Sequence, residues 1–146
     1  MKVKFINENI LKGKSEENIL NDLESSNIKP DDLLIKSAEN GFLLGVKISL
    51  ERGADIYIGS GAALILASLG GHTEVVRFLL ENGADVHAQD SDALMVASAI
   101  GHIEIVKLLL ENGADVHAQD DDALFLASKY GHTDIVNLLK KYMNKK

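Results

Sequence analysis

Histidine is the first residue type in this sequence whose spacing suggests chemistry. Five histidines recur every fifteen positions, namely His72, His87, His102, His117 and His132. A regular row of imidazoles is typical of a metal site or of a pH-sensitive surface. Packed helical units, however, stand about 10 Å apart, so histidines in equivalent positions of neighbouring units cannot share one zinc ion. We therefore expect no metal at these positions.

Serine recurs every thirty positions, at Ser68, Ser98 and Ser128. A serine hydrolase needs a general base and an oxyanion hole beside the nucleophile, and the chain has neither a GxSxG motif nor a glycine loop that binds phosphate. Small residues in such a column more simply let two helices approach each other. We expect no catalytic residue and no enzymatic activity. A hydrolase stays an alternative that a hydrogen-bonded Ser–His pair would support.

Aspartates cluster where we expect loops to meet helices. We expect Asp92 and Asp122 to cap helices, which leaves Asp90, Asp120 and Asp121 pointing outwards. Between residues 81 and 134 the chain has eleven acidic side chains and two basic ones. A negative stripe of this kind attracts a partner with a basic surface, and solubility alone is the alternative explanation.

Composition excludes several classes of function. The net charge of −7 argues against a nucleic-acid or anionic-membrane partner. The absence of cysteine excludes a disulfide framework, a thiolate nucleophile and a Cys-ligated zinc site. No apolar run approaches the roughly 18 residues of a membrane span. Polar residues interrupt the N-terminal segment, which therefore lacks the continuous apolar stretch of a signal peptide. We expect an intracellular, cytoplasmic protein without a cofactor.

The sequence is built from a thirty-residue repeat. The letters ENGADVHAQD occur at 81–90 and again at 111–120, and glycine recurs with the same period. Each copy predicts a short helix that ends at a glycine, a second helix that is apolar nearly all round, and an extended segment. One such unit cannot bury its own apolar faces, so neighbouring copies must stack.

The two ends of the array differ from its middle. Leu110 is replaced by Lys140 in the last copy, which predicts a polar outer side for the final helix. Residues 1–29 fall out of register and predict a capping helix that begins at Ser15 and buries Ile19, Leu20 and Leu23. We expect a single domain, residues 1–146, that consists of an N-terminal cap (1–30), repeat 1 (31–59), repeat 2 (60–89), repeat 3 (90–119) and repeat 4 with a C-terminal cap (120–146).

The segments GHTEVVRFLLENGADVHAQD (71–90) and GHIEIVKLLLENGADVHAQD (101–120) closely resemble the ankyrin repeat. The resemblance implies an all-α ankyrin-repeat solenoid of stacked helix-turn-helix units. The usual unit has 33 residues, and the three missing here fall in the β-hairpin finger, so we expect short loops in place of full fingers. Shortened repeats of this kind are similar to those of large DNA viruses and some intracellular microbes.

The resemblance also assigns roles to particular side chains. It implies that His72, His102 and His132 bridge the turns of neighbouring copies. The two residues before each Gly-His pair vary in ankyrin binders and face the concave surface. The partner-binding candidates are therefore Leu69, Ala99, Ile100, Lys129 and Tyr130, together with Asp90, Asp120 and Asp121 in the loops.

These observations predict a non-catalytic protein–protein interaction module that binds a partner protein through its concave face and acidic loops. We expect a monomer whose partner has a basic surface, and we expect no nucleic-acid or membrane partner. Two alternatives stay open. In the first, the chain is a structural or self-assembling scaffold element. In the second, the apolar candidates Leu69, Ile100 and Tyr130 pack against their neighbours instead of facing a partner.

Overall fold

The structure, a computed structural model, describes residues 15, 18, 21, 22 and 25–145. From Pro30 onwards these residues form eight α-helices and no β-strand. Each repeat contributes one odd-numbered helix, called leading here, and one even-numbered helix, called trailing. The helices are α1 (Pro30–Asn40), α2 (Leu43–Glu51), α3 (Ile58–Leu69), α4 (Thr73–Glu81), α5 (Ala88–Ile100), α6 (Ile103–Glu111), α7 (Ala118–Lys129) and α8 (Thr133–Met143).

The repeats stack in one direction along the chain. Each leading helix packs on the leading helix of the next repeat, and each trailing helix packs on the next trailing helix. Within the described residues, helices two repeats apart make no substantial contact. The predicted all-α solenoid is therefore confirmed. None of the described helices is both long enough and apolar enough to cross a membrane.

The core is a continuous aliphatic layer between leading and trailing helices. In the third repeat, α5 buries Ala93, Leu94 and Ala97, and α6 buries Ile105 and Leu109. Burying one such Leu or Ile side chain contributes about 1.5–3 kcal/mol, and the small alanines let neighbouring leading helices come close. The same columns are buried in the adjacent repeats. Stability therefore comes from the interfaces between copies.

A left-handed glycine ends each leading helix or directly follows its end, as predicted. Gly101 has φ 102° and ψ 23°, and its N–H donates to the carbonyl oxygen of Ala97 at 3.0 Å. The N–H of His102 donates to the same carbonyl at 2.9 Å. An L side chain at this φ is strained, so glycine is the residue that the turn requires.

The segment between repeats is not extended, so that prediction is wrong. The Asp85 carboxylate accepts the N–H of His87 at 2.9 Å and turns the chain. Gln89, Asp90 and Ser91 then adopt left-handed angles, with φ of 51°, 56° and 64°. Residues 59–61 and 119–121 repeat this left-handed turn. The loops are short and replace full β-hairpin fingers, as predicted from the thirty-residue period.

The predicted capping role of Asp92 and Asp122 is also wrong. Asp92 Oδ1 accepts a hydrogen bond from Gln119 Nε2 of the next repeat at 2.7 Å. Asp122 makes no capping hydrogen bond within the part of the chain that the structure describes. A helix-capping residue normally has an extended backbone conformation. Here left-handed residues directly precede each aspartate, so the chain does not enter the helix in the way that capping requires.

The ends of the array agree with the sequence where the structure describes them. Ser15 Oγ accepts the N–H of Asn18 at 3.3 Å, the bond expected of the residue at which a helix begins, and the role of this segment as a cap of the array stays a prediction. Lys140 is exposed where Leu110 is buried, so the polar outer side of the last helix is confirmed. The predicted buried stripe of Ile19, Leu20 and Leu23 lies outside the described residues.

Candidate functional site

Three of the five histidines hold neighbouring repeats together. His72 Nε2 lies 2.9 Å from the carbonyl oxygen of Glu39, and His132 Nε2 lies 3.0 Å from that of Ala99. His102 makes the same contact with Leu69 at 3.3 Å. Because a carbonyl only accepts, Nε2 carries the proton in each bond. The bridging role that the resemblance implied is confirmed.

The other two histidines lie exposed in the loops. His117 Nδ1 is 2.7 Å from the Asp121 carboxylate, whereas His87 has Ser91 at the equivalent position four residues on. Across the described residues no three His, Cys, Asp or Glu side chains are grouped to hold a metal ion. The fifteen-residue spacing arises because repeats 2 and 3 each have two histidines in different structural positions, and His132 of repeat 4 continues the bridging set.

The serine column lies at the helix interface. Ser68 and Ser98 are completely buried, and neither hydroxyl has a hydrogen-bond partner. Ser128, in the last repeat, is exposed. No hydrogen bond joins a serine to a histidine side chain in the part of the chain that the structure describes. The column fits the close approach of neighbouring leading helices.

The apolar candidates are exposed at the ends of the leading helices. Leu69, Ile100 and Tyr130 have 43%, 48% and 55% of their surface exposed, so they are not packed into the core. They belong to three successive repeats, whose leading helices pack side by side. We call these three residues the apolar row. Ala99 is half-buried beside it, and Lys129 Nζ lies 5.5 Å from the centroid of the Tyr130 ring.

A second line of apolar side chains was missed in the sequence. Leu66, Val96 and Leu126 lie three or four residues before the apolar row on the same helices. They are half-buried and lie outside the set of residues that packs on the core. We call them the second row. The i, i+3 and i+4 spacing of helical neighbours was the signal that could have found them.

Phe125 was also missed. It shares a column with Ile65 and Met95, which are half-buried, but it is 60% exposed. The difference arises because α7 is the last leading helix in the structure, so no further leading helix covers the ring. Its position one residue before Leu126 extends the apolar surface at this end of the array.

The acidic candidates lie at the opposite end of the leading helices. Asp90 and Asp120 are exposed, and Asp121 is half-buried beside His117. We call these three aspartates the acidic row. About nine residues of right-handed helix separate this row from the apolar row, which at 1.5 Å per residue is about 13 Å. The structure therefore places the two sets of candidates at opposite ends of the leading helices.

Glutamines tie the acidic loops to one another. Gln119 Nε2 donates to the carbonyl oxygen of Asp90 at 3.1 Å and to the Asp92 carboxylate. One repeat earlier, Gln89 Nε2 donates to the carbonyl oxygen of Ser60 at 3.3 Å. These inter-repeat bonds fix the left-handed turns against each other, so the aspartates of successive loops keep a regular spacing.

The comparison with known proteins agrees with this geometry. The family model described as ankyrin repeats (3 copies) matches residues 5–90, 33–120 and 83–146. The first match begins inside the segment where the sequence showed no repeat, and the boundary between cap and first repeat stays a prediction. No curated protein matches the chain. With the model covering nearly its whole length, the chain belongs to the ankyrin-repeat family.

Proposed function

We propose that this chain is a non-catalytic module that binds a partner protein through the concave face formed by its leading helices. Ankyrin repeats are generally protein–protein interaction modules, and the family is typically non-catalytic. The apolar row carries the proposal, because Leu69, Ile100 and Tyr130 present large apolar side chains to solvent in three successive repeats.

The energetics of an interface favour this surface. Removing apolar area from water contributes about 25 cal/mol per Å², and a few large side chains near the centre of an interface contribute most of the binding energy. Tyr130 has the aromatic character that such centres favour. The half-buried second row enlarges the area that a partner can cover without disturbing the core.

The acidic row supplies the rim of the proposed interface. Within the described residues no ion pair involves Asp90 or Asp120, and Lys107 on the neighbouring helix pairs with Glu104 at 3.4 Å instead. A field of this sign attracts a basic protein surface and raises the rate of association, an effect that salt screens. We further propose that the module acts as a monomer in the cytoplasm, where a chain without cysteine is suited to reducing conditions.

A pull-down from the natural cell with matched variants tests the proposal. The double variant Ile100→Glu/Tyr130→Glu places two charges in the apolar row. The control Asn137→Glu/Asn144→Glu adds the same charge at exposed positions of α8 and its end. We expect the first variant to lose the proteins that the wild type retains and the second to keep them. Equal retention by both variants contradicts the proposal.

One observation favours a structural role as a second candidate. Gly41, Gly71 and Gly101 are each covered by a histidine ring of the next repeat, whereas nothing among the described residues lies within 4 Å of a Cβ built on Gly131. Within the described residues the turn at Gly131 is therefore not covered by a ring, although Lys140 makes the outer helix of that repeat polar. Sedimentation at several concentrations separates the candidates, since growth of the sedimenting mass with concentration supports a self-assembling scaffold.

A further inference from the structure

We propose that the segment bound by this face is an α-helix with apolar side chains at every seventh position and Lys or Arg along one flank. The inference rests on the proposed function, because it names the class of segment that the same surface takes. Spacing, backbone chemistry and charge each support it.

The spacing of the apolar row matches the pitch of a helix. Leading helices of successive repeats pack directly on each other, and packed helices stand about 8–10 Å apart. The row from Leu69 to Tyr130 therefore spans two intervals, about 16–20 Å. In a bound helix seven residues rise about 10.5 Å and return to nearly the same side. Two heptads span about 21 Å and place one apolar side chain against each repeat.

An extended strand does not fit the same surface. Its residues rise about 3.3 Å each and alternate in direction, so side chains on one side recur at about 6.6 Å or 13 Å. Neither spacing matches the 8–10 Å between repeats. A strand also needs backbone groups to pair with, and the backbone N–H and C=O groups along a helix already bond within that helix.

The second row defines the width of the contact. Leu66, Val96 and Leu126 run beside the apolar row, about one helical turn away along each leading helix. A bound helix can contact both rows only when its apolar residues recur at i, i+3 or i+4, and i+7. The first repeat has Glu39 and Asn40 at the equivalent exposed positions, so the apolar contact is limited to three repeats.

Charge sets the flank of the bound helix. The acidic row lies about 13 Å from the apolar row, close to the 10–12 Å diameter of a helix with its side chains. A helix that lies on the two apolar rows therefore turns one flank towards Asp90 and Asp120, which are exposed and stand at equivalent positions of two successive loops. Two basic residues seven positions apart on that flank meet Asp90 and Asp120, whereas the second repeat has Ser60 at the equivalent position.

A selection from displayed peptides tests the inference. A library of random 24-residue peptides is selected on the full chain at low salt and counter-selected on Ile100→Glu/Tyr130→Glu. We expect the enriched peptides to show apolar residues with a period of seven and Lys or Arg on one flank. We expect the double variant to weaken their binding at least tenfold, and Asn137→Glu/Asn144→Glu to change it less than twofold.

The other outcomes separate the inference from the proposed function. Enriched peptides that depend on Ile100 and Tyr130 but show alternating or aperiodic apolar residues overturn the bound helix and leave the binding face standing. Binders that are indifferent to both substitutions, or no binders at all, overturn the face and the helix together. As a second measurement, circular dichroism of an enriched peptide should gain helical signal on addition of the chain, and no gain also overturns the helix.

Discussion

The ring of His102 lies directly against Gly71 of the preceding repeat. A Cβ built on Gly71 would stand 2.7 Å from Cε1 of that ring, closer than real side chains approach. The same ring reaches the carbonyl oxygen of Leu69 through Nε2. Histidine and glycine thus form one joint, in which the missing side chain makes room for the ring that bonds the repeats together.

Substituting the glycine of this joint tests its contribution to stability. Gly71 and Gly131 have nearly equal φ, 75° and 79°, but only Gly71 has a ring against it. We expect Gly131→Ala to cost about 1–2 kcal/mol from left-handed strain alone. Gly71→Ala should cost at least about 1 kcal/mol more, because the ring must move and its hydrogen bond is lost. Denaturant unfolding measures both, and equal costs would mean that the ring contributes nothing.

The buried hydroxyl of Ser98 should lower stability. It has no hydrogen-bond partner, and leaving such a group unsatisfied costs about 1–3 kcal/mol. We expect Ser98→Ala to raise the free energy of unfolding by about 1 kcal/mol more than Ser128→Ala does. The exposed Ser128 controls for the higher helix propensity of alanine. A loss of stability in Ser98→Ala would show that this hydroxyl makes a bond after all.

Exposed and buried isoleucines of the third repeat should respond differently to charge. Ile100 is 48% exposed, whereas Ile105 is 1% exposed in the core. We expect Ile100→Glu to change the free energy of unfolding by less than about 0.5 kcal/mol, and Ile105→Glu to cost at least about 4 kcal/mol. Thermal unfolding followed by circular dichroism measures both. A large loss in Ile100→Glu would place that side chain in the core.

The repeat period was enough to predict the stack. Identical joints need identical residues, so the thirty-residue period predicted which helices pack together, and the family resemblance predicted which histidines bridge them. The apolar row followed from family resemblance and proved to be exposed. The second row, with Leu66, Val96 and Leu126, did not follow from the resemblance, because it lies one helical turn before the two variable positions that precede each Gly-His pair.

The loops could not be predicted in the same way. Gln89, Asp90 and Ser91 include no glycine, and a run of left-handed L residues is costly, so local preference favoured an extended chain. Contacts with the next repeat decide the conformation, since Gln119 binds the carbonyl oxygen of Asp90. The equivalent residues of the second repeat include Gly59 and Gly61, which were the available signal for a left-handed turn.

Comparing alanine with glycine at position 120 tests the left-handed turn, because the turn decides which of the two variants is more stable. Asp120 has φ 55° and ψ 44°, and its exposed side chain makes no hydrogen bond in the described part of the chain. In a right-handed helix alanine is more favourable than glycine by about 1 kcal/mol. In a left-handed turn the order reverses, because the Cβ of alanine is strained there by about 1–2 kcal/mol. We therefore expect Asp120→Gly to unfold at a higher denaturant concentration than Asp120→Ala. Both variants remove the same charge, so electrostatics cancel in the comparison, and a more stable alanine variant would mean that residue 120 continues an ordinary right-handed helix.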